Sequence, residues 1–437
     1  MKWAILGGGL TGITLARLLA ERGEEVVVLE RENEIGGLCR SRSREGFTFD
    51  IGGSHIIFSR DQEVLAFMRN VLGDNRDERH RNTKIFYKGN FVKYPFENGL
   101  ADLPKEDCFF CINEYIRTLI AVEKGEIPPP ENFRDWIYYT FGRGIAELYM
   151  VPYNEKIWNY PAEKMSMHWV EGRIPRPPVE DIIKSAIGIE TEGYTHQAVF
   201  SYPIHGGIEA LVMAMADPVK DAVLTGFEVT SVRREGDRIV VSNGAESIEA
   251  DRCVSTIPLQ HLIPCLDDVP AGCREACERL RYNSLICACI GIAGDIPEYS
   301  WLYVPQTALG YFNRISFPSN YSTKVAPRGR SSILVEITCN EGDAISALSD
   351  DEVVAHVVEG LVAMGLIESA ESVVYHAVER EDFAYVVYDL EYQDNVKTVR
   401  TYIRDQGIDL VGRFAEFEYL NMDACIRKAF DFVKAVP

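Results

Sequence analysis

The chain has 437 residues, too many for one ordinary core, and its 46% hydrophobic and 25% charged residues exclude the disordered and fibrous classes. Its 45 basic and 66 acidic side chains leave a formal charge of −21, which repels nucleic acid and anionic lipid. An anionic substrate stays open, because a few buried arginines decide the local potential where salt screens the rest.

No run reaches the roughly 18 apolar residues of a membrane helix. The early apolar stretch is broken by Gly7-Gly8-Gly9 and followed by Arg17, Glu21 and Arg22, unlike a secretory signal. Eleven scattered cysteines, an odd number, favour reduced thiols and a cytoplasmic location over a disulfide framework. Cys108-Phe-Phe-Cys111 has metal-ligand spacing, but no second pair completes a four-ligand site, so packed thiols and no metal are expected.

In chain order, Ala4-Ile5-Leu6 reads as a short buried strand, Leu10–Glu21 as an amphipathic helix and Glu25–Glu30 as a second apolar strand. This is the βαβ signature of a parallel sheet. Arg60–Leu72 reads as helix, and Ile85–Tyr94 as two strands about the turn Lys88-Gly89-Asn90. From Pro104 to Gly188 the apolar spacing is mainly helical and rich in aromatics. Short strands return over Val223–Val254, with Glu235-Gly236-Asp237 turning between Thr230–Arg234 and Arg238–Ser242. Leu285–Ile292, Ser300–Val304, Gly310–Phe317 and Ser332–Thr338 read as an antiparallel sheet, and Asp350–Met364 as a helix capped by Ser349. The expected fold is α/β: a discontinuous Rossmann-like domain (1–80, 198–260, 405–437), an antiparallel sheet domain (81–103, 261–404) and a helical domain (104–197).

Gly7-Gly8-Gly9-Leu10-Thr11-Gly12 fits G-x-G-x-x-G. Gly7 permits the turn, Gly9 admits a pyrophosphate, and Gly12 allows close helix–strand contact, while the helix N-terminus offers free N–H groups. Glu30 ends the second strand, where an acid accepts hydrogen bonds from ribose hydroxyls. Beyond it, Gly36-Gly37-Leu38 and Gly52-Gly53-Ser54-His55 resemble the extended fingerprint of the glutathione-reductase-type flavoproteins, which include amine oxidases and protoporphyrinogen oxidases. The resemblance implies FAD. It places Gly7, Gly9, Leu10, Thr11, Gly12, Glu30 and Arg31 around the cofactor, then Gly36, Gly37, Leu38, Gly53, Ser54 and His55. Val229, Arg413, Asn421, Met422 and Asp423 complete the set. No second G-x-G-x-x-G occurs, so no separate NAD(P) domain is expected.

Further motifs recur in the order found in eukaryotic-type UDP-galactopyranose mutases: Tyr94-Pro-Phe-Glu-Asn98, Phe133-Arg-Asp-Trp136, Tyr153-Asn154-Glu-Lys-Ile-Trp158, Gly172-Arg173, Trp301-Leu-Tyr303, Arg314, Ser319-Asn-Tyr-Ser322 and Gly412-Arg-Phe414. By this resemblance Arg173 and Arg314 clamp a nucleotide-sugar diphosphate, as planar, permanently charged arginine suits. Tyr94, Phe96, Tyr149 and Trp158 stack on or border the base and ribose, the alternative being ordinary core aromatics, and Asn154 and Trp301 are further expected substrate contacts. Tyr303, Tyr321, Tyr385 and Tyr419 donate to phosphate oxygens without adding charge. The implied reaction is a non-redox pyranose–furanose isomerisation in which reduced FAD attacks the sugar through N5. His55 then adjusts the protonation beside N5, or is a structural histidine.

The chain departs from that pattern at Glu97, where the mutases carry a base-reading glutamine. It departs again at Tyr149 (phenylalanine there), at Gln197 (asparagine there), and in Tyr419–Asp423, which is closer to the bacterial form. These departures leave base and sugar open. The competing reading is an amine-oxidase or protoporphyrinogen-oxidase type of oxidoreductase, whose apolar pocket needs no diphosphate clamp.

Overall fold

Trp3-Ala4-Ile5-Leu6 is completely buried, as a strand covered on both faces must be. In the computed structural model, which describes residues 1–170, 173–174, 176–191 and 198–436, this segment forms the strand Lys2–Leu6 (β1). Helix Leu10–Glu21 (α1) follows, and then strand Glu25–Leu29 (β2), parallel to β1 with Leu6 opposite Leu29. Both strands sit inside a five-stranded parallel sheet that also takes Val223–Leu224, Arg252–Ser255 and Ile408–Leu410. The C-terminal helix Met422–Ala435 packs on α1, bringing the two ends of the chain to one side of the sheet.

The second sheet has seven strands, in the order Val373–Val387, Arg281–Ala293, Arg330–Cys339, Arg314–Ser316, Trp301–Tyr303, Thr83–Tyr87 and Asn90–Lys93. It is antiparallel except where Trp301–Tyr303 meets Thr83–Tyr87. One face is covered by helix Asp350–Ala363, whose Val353, Val357 and Leu361 are fully buried one turn apart. Ser349 and Glu352 close a capping box at its start. Helices Lys105–Glu123, Phe133–Ile145, Val151–Trp158 and Val179–Ala186 fill the aromatic-rich middle of the chain. The fold is therefore mixed α/β, with one parallel and one antiparallel sheet.

Three details differ from the sequence reading. Of Gly310–Phe317 only Arg314–Ser316 is strand; what precedes it is a connection with a helical turn at Thr307–Leu309. The helix expected from Arg60 begins at Gln62, because the Asp61 side chain accepts from the Glu63 and Val64 amides and caps it. The edge strand Val373–Val387 escapes sequence reading, since the charged run Glu379–Asp382 breaks its apolar alternation. All eleven cysteines are unpaired, and no helix among the described residues is long and apolar enough to cross a membrane.

Candidate functional site

The glycine turn and the Gly36-Gly37 pair lie against each other: Gly36 N donates to Gly8 O at 2.9 Å. A side chain at Gly12 would place Cβ 2.0 Å from Gly7 O, so close packing forces that glycine. Gly9 differs. A Cβ there would meet only Gly37 Cα, at 4.0 Å, so its glycine keeps a space open. α1 starts at that space with no side-chain cap, and its first helical bond runs from Ile13 N to Gly9 O. The amides of Leu10, Thr11 and Gly12 have no acceptor within the helix and present a positive dipole end. Glu30 faces them; its carboxylate accepts from Gly8 N (2.6 Å) and Glu32 N (2.9 Å) and keeps lone pairs for further donors.

This space belongs to a cavity of about 860 Å³. Gly7, Gly9, Leu10, Thr11, Glu30, Arg31, Gly36, Gly37 and Leu38 line it, as do Ser54, His55, Val229, Arg413, Asn421, Met422 and Asp423. Gly12 and Gly53 lie just behind the wall, Gly53 with room for a Cβ blocked by Glu336 Oε2 at 2.9 Å. Arg31 Nε donates to Glu32, and its Nη1 lies 3.4 Å from His261 Nδ1, both of these being wall residues too. Helix Met422–Ala435 begins at Asn421 with a second uncapped N-terminus on the wall. Arg413 Nε and Trp301 Nε1 have no hydrogen-bond partner among the described residues, but both atoms are buried inside the wall and not open to the cavity. Uncapped helix ends and a glycine-lined gap fit a long, anionic dinucleotide such as FAD.

Of the residues expected at the substrate, Tyr94, Trp301, Tyr303, Arg314, Tyr385 and Tyr419 line the same cavity. Arg314 is spoken for: Nε and Nη2 donate to the two oxygens of Glu336 at 2.7 and 2.5 Å. Glu336 is fully buried and also accepts from Ser54 N, so the pair neutralises itself and pins the Ser54–His55 segment. Arg314, expected as a diphosphate clamp, thus stands on the cavity wall with its charge paired to Glu336. His55 Nδ1 lies 2.7 Å from the Gly53 carbonyl, so Nδ1 carries the proton and Nε2 is left as an acceptor. Burial, with the Arg314 charge adding to it, pushes the His55 pKa down to about 4 and keeps the ring neutral.

Other expected residues sit off the wall. Arg173 is exposed, with its guanidinium 4.5 Å from the Tyr419 ring centroid and donating to the Tyr419 carbonyl. It backs Tyr419 rather than entering the cavity. Phe96 and Tyr149 stack on each other at 4.8 Å and 8°, and Tyr149 on Tyr153 at 5.2 Å, which leaves no slot for a base between them. Glu97 is buried beside that stack, and burial pushes its carboxyl up to about 7. Asn154 donates to the carbonyl of Met150, just before its own helix, Trp158 is buried against Tyr385 and Tyr419, and the Tyr321 hydroxyl donates to Ser300 O. Gln197 and Gly172 lie outside the described residues.

Sequence reasoning missed much of the wall, including Phe227, Glu228, Thr256, Gln260 and Phe383, and three charged residues at or behind it. Arg81 lies 4.9 and 4.7 Å from the Tyr94 and Trp301 ring centroids on the cavity wall, but stands in a charged stretch without a motif. Arg40, directly after the Gly36–Cys39 segment, pairs with Glu381 at 2.7 Å across to the second sheet. Glu336 was the most legible of them, as the lone acid in an apolar strand.

Residues 10–397 match the family described as flavin containing amine oxidoreductase. Among solved structures, a reduced UDP-galactopyranose mutase is similar with a TM-score of 0.89 and 26% identity, covering 99% of this chain and 94% of that one. Among curated proteins, an inactive all-trans-retinol 13,14-reductase of Danio rerio is 31% identical over 22% of this chain. A 4,4'-diapophytoene desaturase of Staphylococcus aureus (strain COL) is 42% identical over 12% of it. The matched segments span only 17% and 10% of those two relatives.

Proposed function

The chain belongs to the flavin-containing amine oxidoreductase family and holds FAD, and from that premise we propose that it is a UDP-galactopyranose mutase-like flavoenzyme. Its reaction is the non-redox exchange of pyranose and furanose forms of a nucleotide sugar. The observation that carries this reading is the 0.89 TM-score at 26% identity to a mutase over almost both whole chains. Bound and reduced, the flavin supplies the nucleophile for the anomeric carbon.

The chain's own residues do the rest. Tyr303, Tyr385 and Tyr419 donate phenol hydrogen bonds to the departing phosphate, with Arg413, 4.6 Å from the Tyr419 ring centroid, as the positive charge beside them. The Arg314–Glu336 pair holds the Ser54–His55 backbone, and neutral His55 offers Nε2 as a fixed acceptor. Arg173 supports Tyr419 from outside.

A second reading, an FAD-dependent oxidoreductase of the amine-oxidase type, is favoured by one observation. With Arg173 outside the cavity and Arg314 neutralised by Glu336, the charge expected for a diphosphate clamp is reduced. Anaerobic mixing separates the two. Reduced enzyme is expected to interconvert UDP-galactopyranose and its furanose form while consuming far less than one reductant per turnover, and oxidised enzyme to be silent. Bleaching of the oxidised flavin by an amine, or by the UDP-sugar, would overturn the mutase reading.

A further inference from the structure

Strands Trp301–Tyr303 and Arg314–Ser316 pair antiparallel with Tyr303 opposite Arg314, and both of those side chains line the cavity. The connection 304–313 between them is longer than the two to five residues usual for a hairpin. Its ends are tied by backbone bonds, Val304 N to Asn313 O and Asn313 N to Glu336 O, each at 3.0 Å, which leaves the stretch between them to be placed by other contacts. Here it is held from two other elements.

From helix Val151–Trp158, Lys156 Nζ donates to Val304 O and Gln306 O, each at 3.0 Å, and lies 5.6 Å from the Phe312 ring centroid. From helix Asp350–Ala363, His356 Nε2 accepts from the Tyr311 amide at 3.0 Å, with its ring 5.2 Å from that of Tyr311. Gly310, at φ +142°, sits where these groups converge: a Cβ there would meet Phe312 Cε1 at 2.3 Å and His356 Nε2 at 3.0 Å. The helix carrying Lys156 also touches the wall through Tyr153, 5.1 Å from Tyr303, and through Trp158.

Lys156 is an unusual occupant for such a place. Its ammonium meets two carbonyls and a ring face, and burial alone draws its pKa down to about 7. Enclosing a cation with no ion-pair partner among the described residues is unfavourable, and an apolar side chain of similar length would be the more stable choice. What the lysine gains is directional donors on the connection.

We propose that Lys156 and His356 are positioning residues, clamping the 304–313 connection so that Tyr303 and Arg314 keep their places on the cavity wall. The proposal rests on the reading above only in taking this cavity as the working site; the substrate does not enter it.

The test uses FAD-loaded full-length protein, with hydrogen exchange by segment and the flavin absorption spectrum as readouts. Lys156→Met is expected to raise exchange in peptides covering 301–316 at least ten-fold, while peptides covering the glycine turn 7–12 stay unchanged. It should also shift the flavin band as the Arg314–Glu336 pair moves. Lys156→Arg, which restores the cationic donors, should return both readouts toward wild type. His356→Phe is the second variant and should loosen the same segment. Wild-type exchange over 301–316 in the Met and Phe variants would overturn the clamp, as would an unmoved flavin band. Lys156→Arg behaving like Met would also overturn it. Failure of wild-type enzyme to bind UDP would count against the nucleotide-sugar reading alone, because neither readout needs a substrate.

Discussion

Glu97→Gln separates a base-reading role from a structural one. Glu97 is 5% exposed, lies off the cavity wall, and burial raises its carboxyl from an ordinary 4.5 to about 7. Between those two values the native chain keeps a proton that the unfolded chain has released. Stability is therefore lost as pH rises through that window, and the loss is complete above about 7. At about 1.36 kcal/mol per unit, the shift corresponds to an upper limit of about 3 kcal/mol. Glutamine has nearly the same shape and no proton to lose. The variant should thus exceed wild type by less than about 1 kcal/mol at pH 5 and by about 3 kcal/mol at pH 8. Urea unfolding of both proteins at the two pH values measures this. Asp50, which burial raises to about 6, cancels because both proteins contain it. UDP affinity should change by less than about 0.5 kcal/mol, since the side chain does not face the cavity. A stability difference that is the same at pH 5 and pH 8 would refute the reasoning, and a large change in UDP affinity would return Glu97 to the base.

Gly9→Val should give folded but colourless protein, because its Cβ enters open space where the cofactor is expected, whereas Gly12→Ala should impair folding itself through the 2.0 Å approach to Gly7 O. Far-ultraviolet dichroism and flavin absorbance tell the two apart, and full flavin occupancy in Gly9→Val would refute the assignment of the turn. Arg314→Met should cost about 3 kcal/mol by stranding buried Glu336, and adding Glu336→Gln should recover most of it. A double variant no more stable in urea than the single one would show that the cost does not come from the unpaired carboxylate.

The nucleotide-binding unit was legible because its signals are local. A strand, a glycine turn, a helix and an acid fall within Lys2–Glu30, and each is fixed by backbone sterics or by neighbours a few residues away. The hairpin Ser231–Glu235/Arg238–Ser242 and the capped helix Asp350–Ala363 were readable for the same reason. The motifs along the chain also picked out part of the cavity wall, from Gly7 to Asp423.

What each charge does there could not be read so. Whether an arginine serves a ligand or a carboxylate depends on what lies opposite it, and for Arg314 that is Glu336, brought alongside by strand pairing between Arg314–Ser316 and Arg330–Cys339. Phe96 and Tyr149 are far apart in sequence and become a closed stack only when the helices pack. Edge strand Val373–Val387 owes its existence to its neighbour Arg281–Ala293 rather than to its own apolar pattern. Sequence fixes local conformation and the inventory of donors and acceptors. Partner choice, burial and the resulting pKa values are pairwise properties of distant segments, and only the assembled fold decides them.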